Sequence, residues 1–514
     1  METLQNLLQR FAARHQALKL FVLGALAAIA LPPTDLWPVL FITVPLALVI
    51  FTRESQSLYR RIAWLGWLYG LGYFIAALHW IAYAFFVNPE RDLWMMPIAL
   101  GSLAAFMAVF WMLAILAASF AAKRSYPLWL VVPATLAMAE WLRGHLFTGF
   151  PWSALGQMSD GMFGVEQLAS IIGMTGLSLM VPLWASAIYG AVFETARRRW
   201  LAVALLITFP LSLVWGQLRL ASHPTAYVPD VMVRLVQPNI NQNEKWLERH
   251  ARKIYDTLLA LNARPSSTGK PITHIIWPES SVPFLLDESA AGRAELAKAM
   301  PPGATLMAGA VRRSAANDQA QYFTSILVLN DQAQVLNHYD KWHLVPGGEF
   351  LPLAWALEPL GLRKVVSLPE SFTPGPGPTN LEIPGAGLAG MSICYEAIFP
   401  DAVAGPSIRP NWLINVTNDG WFGKSTGPYQ HLAQLRLRSI EQGLPAARAA
   451  NTGISSIIDP LGRVTFQSLI GVSDAYDLAL PQPVSQTTYG RLGDCLFFVL
   501  LLVVIGLGHF FKKS

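Results

Sequence analysis

Gly390-Met391-Ser392-Ile393-Cys394-Tyr395-Glu396 closes a run, Ala386–Ile393, that reads as a buried strand ending at a cysteine. The only other cysteine among the 514 residues, Cys495, lies in a C-terminal apolar run that reads as membrane-spanning. A free cysteine is more often a small buried hydrophobe than a reactive group. A lone thiol in a soluble segment, with no disulfide partner, is nevertheless a candidate nucleophile. The surrounding chain decides between the two.

Outward from Cys394, strands alternate with helices. Val231–Val236 reads as a mostly buried strand, followed by Gln237-Pro238-Asn239 and a helical stretch from Glu244 to about Asn262. Ile272–Trp277 runs into Pro278-Glu279-Ser280, and Trp412–Val416 into Thr417-Asn418-Asp419-Gly420. Thr305–Ala310 and Thr324–Leu329 are further strands, with helices expected at Ser289–Met300 and Gln430–Gln442. This alternation predicts an α/β layered domain. Glu279, Cys394 and Asn418-Asp419 each directly follow a strand. Lys341 sits in a loop-like segment, His338 to Glu349, also after a strand. Functional groups of α/β sheets gather at the carboxyl ends of strands.

The remainder of the chain is of another kind. Hydrophobic residues make up 53% and charged residues only 13%, with a mean hydropathy of +0.39, whereas soluble domains are about a quarter charged. The long apolar runs fall before residue 218 and again at the end. The organisation expected is a transmembrane region over 1–219, a globular catalytic domain over 220–490 and a C-terminal transmembrane helix over 491–514. About eight spans are expected: Lys19–Leu31, Leu36–Phe51, Ile62–Val87, Leu93–Phe120, Pro127–Trp141, Leu168–Phe193, Trp200–Trp215 and Asp494–Phe511. Met1–Gln16 suits an amphipathic helix on the inner membrane surface.

Charge orients these spans. Arg10, Arg14, Lys19, Arg53, Arg60, Arg61, Lys123, Arg124, Arg197, Arg198, Arg199, Lys512 and Lys513 fall on one side, against Arg91 and Arg143 in the alternate short loops. The positive-inside rule makes the first set cytoplasmic. Both termini are then cytoplasmic and the 220–490 domain lies outside. The pI of about 9.1 is thus a topology signal, and a nucleic-acid partner is excluded. No cleavable signal peptide is expected, because the first apolar run continues into a multi-span body. The histidines, including His338, His343 and His431, lack zinc-ligand spacing, so neither a metal nor another cofactor is expected.

A thiol nucleophile needs a base and a cation for the oxyanion, and the chain carries both in a known order. Trp277-Pro278-Glu279-Ser280, then Tyr339-Asp340-Lys341 with Pro346-Gly347-Gly348-Glu349-Phe350-Leu351-Pro352, then Ile393-Cys394-Tyr395-Glu396 resemble the three signatures of the nitrilase (carbon–nitrogen hydrolase) superfamily. The multi-span body, the final anchoring helix and Phe147-Thr148-Gly149-Phe150-Pro151-Trp152 in an outward loop are similar to its membrane-embedded branch, the apolipoprotein N-acyltransferases. The resemblance implies an inserted αββα sandwich in a multi-pass protein of a Gram-negative inner membrane, with the catalytic domain periplasmic. It implies transfer of an acyl chain from a phospholipid, such as phosphatidylethanolamine, to the amino-terminal cysteine of a diacylglyceryl apolipoprotein. It further implies a ping-pong route through a thioester on Cys394, with Glu279 as base and Lys341 at the oxyanion. Glu349 would support Lys341, Tyr395 and Glu396 would shape the site, and Trp246 would lie near the acyl chain.

Other residues stand on their own chemistry. The bulk of Trp421 suits an acyl pocket or an ordinary core. Arg143, with Glu140 close by, is a candidate head-group ligand or an interfacial ion pair. Gly420–Gly427 is glycine-punctuated and aromatic, as a mobile gate would be. One departure from the superfamily pattern is Tyr322-Phe323-Thr324-Ser325, where relatives carry an Asn after the aromatic residue. A membrane-tethered amidase or nitrilase that releases its acyl group to water shares the triad. A transporter would need charged or broken helices at mid-membrane, which these spans largely lack.

Overall fold

The computed structural model describes residues 10–316, 319–351, 353–361, 372–405 and 408–512. The chain divides into two compact units: Met1–Trp80, Pro97–Pro224 and Gln486–Ser514 form one, and Ile81–Met96 with Thr225–Ser485 the other. Among the described residues, five helices are long and apolar enough to cross a membrane: Trp37–Glu54, Tyr59–Phe86, Pro89–Ala122, Val165–Phe193 and Ala196–Ser222. Length and composition thus confirm five of the eight expected spans. Gln16–Ala30 and Cys495–Phe510 are shorter apolar helices, below the roughly 20 residues that a span requires. Leu128–His145 carries Pro133, Glu140 and Arg143 and is not among the five. The run expected at Trp200–Trp215 is longer than its apolar core suggests and does qualify. The amphipathic helix expected over Met1–Gln16 lies mostly outside the described residues, as do Pro352 and Lys513.

The second unit contains twelve strands among its described residues: β1 Tyr227–Gln237, β2 His274–Trp277, β3 Thr305–Ala316, β4 Gln319–Leu329, β5 Val335–Asp340, β6 Asn380–Ile383, β7 Gly387–Ile393, β8 Trp412–Thr417, β9 Ala446–Ala450, β10 Ser456–Ile458, β11 Val464–Gln467 and β12 Asp474–Pro481. They form two six-stranded sheets, β12-β1-β2-β3-β4-β5 and β11-β10-β9-β8-β7-β6. Strands β1, β2 and β3 are parallel, as are β7, β8 and β9, and the outer pairs are antiparallel.

Alternation along the strands explains the layering. Val233, Leu235, Ile276, Met307, Ile326 and Val328 of the first sheet share one core with Met391, Ile393, Ile414, Val416, Ala447 and Ala449 of the second. The intervening residues face outward. Val236, Ile275, Trp277, Leu306 and Leu327 pack on Ile254, Leu258 and Leu261 of helix Glu248–Asn262 and on Leu296 of helix Ala290–Ala299. Leu413, Ala446 and Ile458 pack on Leu432 and Leu435 of helix Gly427–Gln442. The unit is an αββα sandwich, as the resemblance implies. Glu279, Cys394 and Asn418 follow the carboxyl ends of β2, β7 and β8, and Lys341 follows β5.

Candidate active site

Each site residue is delivered by the end of a strand. Past β2 the chain turns at Ser280, whose φ of 46° lies in the left-handed region. Pro278 and Glu279 run so close to β3 that a Cβ on Gly309 would come within 2.2 Å of the Pro278 carbonyl oxygen and 2.7 Å of the Glu279 Cα. Glycine there is what lets Glu279 enter. Past β7 the chain turns at Cys394, also left-handed at φ 50°, a conformation that costs a non-glycine residue energy and tends to mark functional sites.

Lys341 is buried between two carboxylates. Its Nζ donates to Glu349 Oε1 at 2.9 Å and lies 3.5 Å from Glu279 Oε1. Glu349 also accepts from the Val345 N–H at 2.8 Å, and Glu279 Oε2 from the Asn418 N–H at 3.0 Å. The second contact ties the end of β8 in one sheet to the end of β2 in the other. Burial alone would lower the Lys341 pKa, but Glu349 and Glu279 outweigh it and hold the amine charged. Burial raises Glu349, against the pull of Lys341. Burial likewise pushes the Cys394 thiol up, helped by Glu279 and opposed by Lys341. The resting cysteine is therefore a thiol.

Glu396 joins the lysine segment to the Cys394 turn. Its carboxylate accepts from the Tyr339 hydroxyl at 2.9 Å, the Trp342 N–H at 2.8 Å, the His343 N–H at 3.2 Å and the Ile393 N–H at 2.7 Å. Burial raises its pKa to about 7 in spite of these donors. Glu396 is fully buried, and its oxygens accept from the protein's own groups. Tyr395 is buried too, its ring edge-on to Phe399 and His343. The departure at Tyr322–Ser325 has its own solution. Ser325 Oγ donates to Asp340 Oδ1 at 2.6 Å, Arg312 pairs with the same carboxylate, and the Lys341 N–H bonds the Thr324 carbonyl at 2.8 Å.

The remaining expectations separate. Trp246 is half-buried against an apolar cluster of Val311, Leu344 and Phe372, with Phe350 also packed there. Trp421 is half-buried at the end of a short turn, Asp419–Trp421. Arg143, in the helical unit, is fully buried. It pairs with Glu140 and donates to the Phe150 carbonyl and, at 2.9 Å, to that of Trp152. The head-group role expected for it gives way to the ion pair, since a buried guanidinium must be paired.

One buried group was missed by sequence reasoning. Lys245 is 1% exposed, and its Nζ donates to the Glu279 carbonyl at 3.1 Å. Burial lowers its pKa to about 8, with Glu279 and Cys394 opposing the shift. Its place beside Trp246 was the only signal. Among the described residues no group of three or more His, Cys, Asp or Glu is arranged to hold a metal ion.

The comparisons with known proteins cover both units. Residues 23–187 match the family profile described as "Apolipoprotein N-acyltransferase N-terminal domain", and residues 233–468 that described as "Carbon-nitrogen hydrolase". The chain is similar to the apolipoprotein N-acyltransferase of Rhodopseudomonas palustris, with 39% identity over 94% of this chain and 92% of that one. It is similar to that of Bradyrhizobium diazoefficiens at 40% over 95% and 94%, and to that of Brucella melitensis at 35% over 95% and 94%.

Proposed function

Since the chain belongs to the apolipoprotein N-acyltransferase family, we propose that it moves a fatty acyl chain from a membrane phospholipid to the α-amine of a diacylglyceryl-cysteine at the start of an apolipoprotein. Cys394 carries the acyl group between the two. The observation that carries this reading is the Lys341 ammonium held between Glu279 and Glu349.

In the first half-reaction the Cys394 proton passes to Glu279 as sulfur attacks the ester carbonyl of the phospholipid. The carbonyl electrons move to oxygen, where the Lys341 ammonium meets the developing charge. The oxyanion then collapses, the ester C–O bond breaks and the departing lyso-phospholipid oxygen takes the proton back from Glu279. A thioester remains. In the second half-reaction the lipoprotein α-amine attacks that thioester and gives its proton to Glu279. The C–S bond breaks, the amide forms and sulfur recovers the proton. The two substrates occupy the site in turn, so the route is ping-pong.

Phosphatidylethanolamine is the proposed donor. The proposed setting is a bacterial inner membrane, with the sandwich unit periplasmic and both termini cytoplasmic. The distribution of basic residues supports this orientation, and the apolar helices support a protein able to reach both lipids.

The test supplies phospholipid with a labelled acyl chain and a diacylated lipopeptide with a free amine. Label is expected on the lipopeptide amine, with a transient acyl mass on Cys394. Release of label only as free fatty acid would instead establish a hydrolase.

A further inference from the structure

A second buried cluster meets Cys394 through its backbone. His431, from helix Gly427–Gln442, places Nε2 at 2.9 Å from the Cys394 carbonyl oxygen. A carbonyl only accepts, so Nε2 carries the proton. Nδ1 lies 3.0 Å from Arg448 Nη2 and 3.0 Å from Asp419 Oδ1. Arg448, from β9, donates to Asp419 Oδ2 at 2.7 Å and to Asn415 Oδ1 at 2.5 Å. The Thr417 hydroxyl donates to Asp419 Oδ1 at 3.0 Å.

His431, Asp419, Arg448, Asn415 and Thr417 are all buried. Burial, and then the Arg448 charge, hold the imidazole below its ordinary pKa. The Cys394 carbonyl fixes the Nε2 proton, while Nδ1 is held between Arg448 Nη2, a donor, and Asp419 Oδ1, an acceptor, so the ring is gripped from both sides. Space for the carboxylate depends on Gly453, where a Cβ would come within 2.2 Å of Asp419 Oδ2.

What this cluster grips is the strained residue itself. Cys394 has φ 50°, and among the described residues only Pro32-Pro33 is a cis peptide. The Cys394–Tyr395 peptide is therefore a rigid trans plane. Holding its oxygen fixes the direction of the N–H on the opposite edge and, through the Cys394 Cα, the direction of the thiol. Glu396 clamps the preceding stretch through the Ile393 N–H. The nucleophile is thus held by a side chain on each flank.

We infer that His431, locked by Arg448 and Asp419, is a positioning residue that fixes the Cys394–Tyr395 peptide so that the thiol is aimed for acyl transfer. The inference rests on the reading of Cys394 as the nucleophile. The competing reading is a buried polar network that only stabilises the sandwich.

Two amide variants of the full-length protein separate these. In His431→Gln the side-chain amide reaches about where Nε2 stood and still donates to the Cys394 carbonyl. In His431→Asn it reaches about where Nδ1 stood, and keeps the Arg448–Asp419 side but not the carbonyl. A structural role ranks the two by melting temperature alone. A positioning role separates them in single-turnover thioester formation followed by mass spectrometry. The Asn variant is expected to form thioester about 10²-fold more slowly, the scale of a misplacement of about 1 Å, with KM for the phospholipid changed less than about twofold. The Gln variant is expected to recover most of the rate. Equal rates in the two variants, with Cys394→Ala inactive, would overturn the positioning role alone. Transfer surviving in Cys394→Ala would overturn the nucleophile reading as well.

Discussion

Lys341 Nζ donates to Glu349 Oε1 at 2.9 Å, while its contact with Glu279 is longer, at 3.5 Å. Glu349 is thus the nearer counter-charge, and it leaves Glu279 less tightly engaged for the thiol proton. Glu349→Gln keeps the volume and removes the charge. Burial then dominates Lys341 and its pKa falls. Activity is expected to drop by about 10²-fold or more, the scale seen when an oxyanion donor is lost. The alkaline limb of the pH–rate profile should move to lower pH, because the ammonium is lost sooner. A profile whose alkaline limb does not move would rule out the role given to Glu349. Glu349→Ala is expected to be destabilised by about 3–5 kcal/mol as well, because it leaves a buried charge less well paired.

Lys245 carries a second prediction. The unfolded chain keeps this proton to about pH 10.4, whereas the folded protein keeps it only to about pH 8. Between those values the unfolded state binds more protons, so stability from this group rises with pH across that window. Below pH 8 the buried ammonium costs about 3 kcal/mol. Lys245→Met removes that cost and loses a hydrogen bond to the Glu279 carbonyl worth about 1 kcal/mol. The variant should therefore melt above the wild type at pH 7, and the gap should close toward pH 10. Thioester formation should slow in the same variant, since a cation beside Glu279 and Cys394 is gone. A melting gap of equal size at both pH values would show that Lys245 is not a desolvated ammonium.

The sandwich was legible, and the proposed triad could be named, because their signals are local. The continuous apolar runs of β1, β7 and β8, buried along most of their length, and the ordered motifs around Glu279, Lys341 and Cys394 lie within short windows. Where long-range packing decides, the reading fell short. Ala446–Ala450 (AARAA) has the composition of a helix, yet it is the buried strand β9. Missing that strand hid Arg448, and with it the reason His431 is buried. Lys245 reads as a surface lysine until tertiary packing encloses it. Eight spans were read from apolar runs, of which five qualify on length and composition among the described residues, and Arg143 near a span end pairs with Glu140.

Trp246 offers a test of where the acyl chain lies. It packs against Val311, Leu344, Phe372 and Phe350 in the sandwich unit, next in sequence to the buried Lys245. If this apolar cluster receives the chain, Trp246→Ala should lower kcat/KM about tenfold or more for long-chain donors, in line with the loss of a large aromatic contact. Short-chain esters should be turned over almost as before. Equal losses for both would assign Trp246 to the scaffold instead.

Gly309 makes the sharpest structural test, because it meets the proposed base, Glu279, through backbone alone. A methyl group there would come within 2.2 Å of the Pro278 carbonyl oxygen and 2.7 Å of the Glu279 Cα. Both are backbone atoms that no side-chain rotation can move aside. The Pro278–Glu279 segment must shift, and Ser281, whose N–H and hydroxyl both bond the Gly309 carbonyl at 2.8 Å, shifts with it. Gly309→Ala is therefore expected to cost about 1–3 kcal/mol through overpacking. It should slow thioester formation about 10²-fold by moving the carboxylate relative to the thiol. Reactivity of Cys394 toward a small alkylating agent should fall in parallel, because the same base removes the thiol proton. Unimpaired thioester formation in a folded Gly309→Ala protein would mean that Glu279 does not need this approach, and the assignment of Glu279 as the base would have to be abandoned.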